Sequence, residues 1–194
     1  MARAIPRWLP GTEEAVAAIF ARQGFDAARM EQLAAAAGVP RATLYYHFSG
    51  KDDVLAWLLR STLETLGEAV AAAAAGPGDA RRRLEAVIRA QLAVMGHHPI
   101  ACQVLLAQLE RTGRLPEIAA LVIDAFHAPV LRLLTDGFED GSLRPTADPV
   151  RTAGVIFGAV TIPALQSLIV DPVFQEEGVA TAVLELVFSG LKGA

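Results

Sequence analysis

MEQLAAAAGVPRATLYYHF, residues 30–48, decides how this chain is read. Ala34, Gly38 and Leu44 stand four and then six residues apart, with Leu33, Val39 and Phe48 apolar around them. The spacing predicts two short helices, 29–38 and 40–48, that cross closely. A small residue is needed where they touch, a left-handed glycine where the chain reverses, and an apolar plug from the second helix. Pro40 suits the first position of that helix. The chain's two tyrosines, Tyr45 and Tyr46, lie in it side by side, followed by His47 and Phe48. Successive helical residues point about 100° apart, so the run cannot all be core. Leu44 and Phe48, four apart, take the core face and leave Tyr45, Tyr46 and His47 on others. Such a helix-turn-helix places its second helix in a DNA major groove and presents that helix's N-terminal residues to base edges.

Outward from this motif nearly every segment reads as helix. Residues 12–24 begin with Thr12 as N-cap and Glu13 and Glu14 in the first turn, carry Val16, Ile19 and Phe20 at helical spacing, and stop at Gly24. A fourth helix is expected from about residue 50 to the break at 76–79, with Ser49 capping and Asp52 completing a shortened capping box. Five more are expected at 80–96, 97–113, 115–141, 147–170 and 171–193, for an all-α chain of about nine helices. No β alternation, internal repeat or low-complexity linker is present. Pro129 and Pro163 fall inside expected helices, where each removes a backbone hydrogen bond and frees the carbonyl of Ala125 or Ala159. A kink, and space for a pocket, are expected there.

The composition fits. In 194 residues, aromatics are only 6% and Cys102 is the single cysteine, which excludes a disulfide framework and points to a reducing, cytoplasmic setting. Residues 153–170 approach bilayer length, but Thr161, Pro163, Gln166, Ser167 and acidic flanking charge favour a buried bundle or interface helix over a membrane span. Net charge is −4, yet residues 1–55 carry six basic residues (Arg3, Arg7, Arg22, Arg29, Arg41, Lys51) against six acidic ones, so the excess lies in the remainder. A neutral head on an acidic body is compatible with local phosphate contact.

Residues 20–55 resemble the TetR family of bacterial transcription repressors. The resemblance rests on Gly24-Phe25, LAAAAGV at 33–39, TLYYHF at 43–48, and the Ser-x-Lys-Asp start of the fourth helix. Ala28 and Arg29 depart from the Thr or Ser usual near the start of helix two. That leaves Asp26 as the alternative cap, or a weaker helix start, and frees Arg29 for a phosphate. The resemblance implies a helix-turn-helix DNA-binding domain over 1–55 and an effector-binding and dimerisation domain over 56–194. It implies as partners double-stranded operator DNA, a small-molecule effector and a second copy of the chain, with no membrane. Pro40, Arg41, Ala42 and Thr43 lie at the groove-entering end. Arg41 is the candidate for a guanine edge or a phosphate, and Thr43 for a thymine methyl or a phosphate. Tyr45, Tyr46 and His47 are expected on the backbone, and Lys51 beside the helix-four amides on another phosphate. Each has a plainer reading, as a packing ring, a solvated charge or a structural histidine.

For the body, Trp57, Met95, Phe126 and Phe157 are expected as apolar pocket walls, with Gln103, His127, Thr161 and Gln166 as polar handles for a largely hydrophobic effector. Gly154 and Gly158, with Val179, Ala182, Val183, Leu186 and Val187, are expected at a dimer interface of two helices from each copy. Catalytic, metal and cofactor sites are not expected. No Ser-His-Asp spacing or Gly-rich phosphate loop is present, and His97, His98 and Cys102 lack the spacing of a four-ligand site. The alternative to a regulator is a small-molecule-binding helical protein that no longer binds DNA.

Overall fold

The computed structural model describes residues 11–108, 120–171 and 173–191. They form an all-α fold. Nine α-helices occur among them: α1 Glu13–Ala27, α2 Met30–Ala36, α3 Arg41–His47, α4 Lys51–Ala74, α5 Ala80–His97, α6 Pro99–Ala107, α7 Ala128–Glu139, α8 Pro149–Val170 and α9 Glu176–Leu191. The expected end of the sixth helix, start of the seventh and end of the ninth fall outside the described residues, as do Arg3 and Arg7. The chain divides into two compact units, residues 1–62 with 98–118, and residues 63–97 with 119–194. The first unit thus takes in α6 and the first half of α4.

In the first unit α1 packs on α2 and α6, and α2 on α3. Its core holds Val16, Ile19, Phe20, Phe25, Leu33, Leu44, Phe48 and Leu58. Gly24 breaks α1 with φ 75° and ψ 164°, and Phe25 then turns back to lie 6.0 Å from the Phe20 ring, nearly parallel to it. The α2–α3 reversal closes as the glycine signal requires. Gly38 sits at φ 69°, its N–H reaching the Ala35 carbonyl at 3.1 Å while Val39 N–H reaches Ala34 at 3.0 Å. That is the paired 5→2 and 6→1 closure of a Schellman turn.

Two expected caps are replaced. Asp26 does not supply the N-cap of α2. Arg29 occupies that position in an extended conformation, and its N–H donates to Gln32 Oε1 at 3.0 Å. At α4 Asp53, not Asp52, reaches back, accepting from both Ser49 N–H (2.9 Å) and the Ser49 hydroxyl. The helix begins two residues beyond Ser49, which puts Asp53 at the third position. Glu13 and Glu14 also do more than complement their own helix dipole. Glu13 Oε1 accepts from the Ser61 hydroxyl of α4 at 3.0 Å. Glu14 accepts from Ile100 N–H at 3.2 Å and Ala101 N–H at 3.1 Å, answering two first-turn amides of α6.

In the second unit α5 is central and packs on α7, α8 and α9. Leu84, Val87, Ile88 and Leu92 are completely buried. Gly137 is obligatory, since a Cβ there would lie 2.6 Å from Leu143. Pro129 is accompanied by a π-helical turn, Ile123–His127, with Ala128 N–H bonded to the Ile123 carbonyl five residues back. The wider turn shifts the hydrogen-bond register just where Pro129 supplies no donor. α8 runs unbroken through Pro163. Among the described residues α8 alone has the length and hydropathy of a membrane-crossing helix. Its Ala153, Ile156, Val160, Thr161, Ala164 and Ser167 are buried within this unit.

Candidate nucleic-acid interface and interior residues

α3 displays the expected surface. Leu44 is 1% exposed and anchors it, whereas Tyr45 is 43% and Tyr46 62% exposed. Arg29, Pro40, Arg41 and Ala42 are also exposed, and Thr43 and His47 half-buried. Arg41 is held in place. Its Nη1 lies 2.8 Å from Glu31 Oε1 and its guanidinium carbon 5.1 Å from the centre of the Tyr45 ring. Hydrogen bonding to Tyr45, and then the Glu31 charge, push its pKa above the ordinary arginine value. The Tyr46 ring meets the His47 ring edge-on at 5.0 Å. α3 therefore presents a planar cation and two phenols on one short helix, the donor set for guanine edges and phosphate oxygens.

Lys51 makes a contact within the unit. Its ammonium donates to the Asp26 carbonyl at 2.6 Å and stands 4.8 Å from the Phe25 ring centre, so it ties the start of α4 to the end of α1. Glu31 was not anticipated. The nearest sequence signal is its place in the first turn of α2, ten residues before Arg41.

The second unit gathers part of the expected pocket set. Phe126, completely buried, lies 5.2 Å from the Phe157 ring, and the His127 ring 5.5 Å from Phe157. Desolvation pushes the His127 pKa below its ordinary value. Thr161, one turn beyond Phe157, is buried and accepts from Gln91 Nε2 at 2.8 Å. Met95 is buried one turn beyond Gln91. Three of the expected residues lie elsewhere. Gln166 is exposed, and Trp57 belongs to the first unit, 6.2 Å from the Phe48 ring. Gln103 also belongs to the first unit. Gln91 escaped the sequence reading, although a lone amide on the Leu84–Val87–Met95 face of α5 was a readable signal. A cavity of about 260 Å³ opens elsewhere in this unit. Gly67, Leu121 and Ala125 line it with Glu64, Glu68 and Asp124, none of them expected.

The expected dimer residues separate. Val183 (3% exposed) and Val187 (7%) are spent in the unit's own core, which corrects their assignment. Ala182 and Leu186 face outward, and Val179 is half-buried. Gly154 and Gly158 face open space. Beside them Val155, Ile162 and Ile169, seven apart along α8, are each more than 60% exposed.

The sequence model of the tetR family of bacterial regulatory proteins matches residues 14–57, the segment from α1 into α4 that carries this surface. A fatty acid metabolism regulator protein of Bacillus subtilis is 22% identical over 179 residues, 92% of each chain. The chain carries the DNA-binding segment of the TetR family over residues 14–57. Its fold recurs in the transcriptional regulator FadR of Bacillus subtilis solved with stearoyl-CoA (TM-score 0.77, 21% identity, 92% of this chain and 97% of that one). It recurs also in the ketosteroid transcriptional regulator KstR2 of Mycobacterium tuberculosis (TM-score 0.75, 21% identity, 100% and 98%).

Proposed function

We propose that the chain is a cytoplasmic repressor that binds a two-fold symmetric operator as a homodimer and is released by a small, largely apolar effector. The observation that carries this reading is the exposed Arg41–Tyr45–Tyr46 surface on a helix whose opposite side is locked by Leu44. Arg41 reads a base edge or phosphate. Tyr45, Tyr46 and Arg29 contact the backbone. Pro40, Ala42 and Thr43 let the start of α3 approach the groove, and His47 flanks it. Residues 1–55 carry DNA binding and residues 56–194 effector binding and dimerisation.

Two copies join through the outward stripe of α8 with Gly154, Gly158, Val179, Ala182 and Leu186, setting half-sites about 34–36 Å apart. The relatives named for fatty acid metabolism and ketosteroids, one solved with stearoyl-CoA, support an effector of acyl-chain or ring-lipid type. Effector and operator then compete through two conformations with different affinities for each.

The test is selection from a random duplex pool at moderate salt. Recovery of a symmetric site, lost with Arg41→Ala plus Tyr46→Ala, is expected. A folded dimer that enriches nothing, with or without added lipid, would leave a ligand-binding protein without DNA.

A further inference from the structure

We propose that the interior of the second unit recognises an uncharged hydrogen-bonding group, a hydroxyl on an otherwise apolar ligand, through Gln91, Thr161 and His127. The proposal rests on the effector reading and adds the chemistry of the ligand's buried end. Gln91 is 2% exposed in the middle of the apolar face of α5. One end of its amide is bonded to Thr161 Oγ1 at 2.8 Å, and Oε1 has no partner among the described residues. His127 repeats the pattern, with Nε2 buried and without a partner among the described residues while Phe126 and Phe157 flank its ring. Phe157 and Thr161 are successive turns of α8, so the histidine and the amide address neighbouring levels of one helix face.

A buried polar atom without a partner costs more than a hydrogen bond contributes, and native interiors hold few. Two of them on adjacent levels, both lined by aromatic rings or aliphatic side chains, suit a ligand that brings the missing partners. The amide can be set either way round, leaving an acceptor or a donor free. A hydroxyl answers both, and it also answers either tautomer of a neutral imidazole. The charge balance argues against a carboxylate at this end. Two turns before Gln91 on the same face of α5, Arg83 already answers Asp136 Oδ2 at 3.1 Å.

The test compares the full-length wild type with Gln91→Met plus Thr161→Val, which replaces both partners by apolar groups of similar shape. Thermal unfolding is followed without ligand, and binding of hexadecan-1-ol, testosterone and palmitate by calorimetry. The wild type should bind at least one of the two neutral hydroxylated probes. The variant should bind that probe about tenfold more weakly, the loss of roughly one hydrogen bond, with palmitate unaffected and the unfolding temperature equal or higher. A variant that unfolds several degrees lower would make the amide a structural group and overturn the proposal. Undiminished binding of the hydroxylated probe by the variant, or binding of neither by the wild type, would overturn it too. Operator selection on the same preparation is independent. A bound operator with no hydroxyl preference removes only this inference, and a missing operator removes only the regulator reading.

Discussion

At residue scale the decisive group is Arg41. Its guanidinium is poised over Tyr45 but shares Glu31, and both members of that pair are more than half exposed. An exposed pair of this kind contributes little to folding. On the proposed reading it opens when DNA arrives, because a phosphate or guanine edge takes the same donors. Glu31→Gln should therefore tighten operator binding roughly two- to fivefold at low salt, with the gain fading as salt screens the charges. Arg41→Ala should weaken it on the order of ten- to a hundredfold. Titration of a fluorescent operator duplex at two salt concentrations reads both. Cys102 lies at the opposite extreme. Burial, and then the Glu14 charge, push its thiol up to about 12, so alkylation at pH 8 should be negligible in the native protein and prompt in denaturant. The exposure of Tyr45 and Tyr46 was legible in helical periodicity alone. The engagement of Lys51 by the Asp26 carbonyl was not, since it joins residues 25 apart in the chain.

At the scale of elements, helix starts are answered by residues far away. Glu14→Ala should cost about 1 kcal/mol, a few degrees in unfolding temperature, and speed hydrogen exchange at Ile100 and Ala101. α5 begins in the same manner, with Ala80 N–H donating to Asp140 Oδ2 at 3.1 Å. Hydrogen bonds from the Ser142 side chain, then from the Ser142 and Ala80 backbones, lower the Asp140 pKa. A lowered carboxyl value means stability present above the unfolded value, about 3.9, and lost as pH falls through the native one. Asp140→Asn should consequently show a shallower loss of stability below pH 4 by circular dichroism. α4 is one helix from Lys51 to Ala74 and passes from the residues of one unit into those of the other. If it transmits effector binding, a glycine inserted near Trp57 should leave operator binding intact and abolish release. Unchanged release would remove it as the lever.

At the scale of the whole molecule the outward stripe of α8 is an exposed apolar row. Val155, Ile162 and Ile169 would be costly to leave in water as a contiguous row. Ile162→Asp and Leu186→Asp should each shift the chain toward monomer in sedimentation and weaken binding to a symmetric operator at least tenfold, without unfolding it. The same surface explains the membrane-like composition of α8. One side is core, and the other is the surface proposed for a second copy.

Helix content, the α2–α3 reversal and the division of α3 into a core side and a displayed side were local properties of the chain. They follow from 3.6-residue periodicity, from glycine's access to positive φ and from proline's missing donor, and each acts within a few residues. Folding was needed to pair Arg41 with Glu31, to set Glu14 on α6, to turn Val183 and Val187 inward and to bring Gln91 against Thr161, 70 residues away. Those choices depend on which helices become neighbours. Helical periodicity tells which side of a helix is buried, but not which helix buries it.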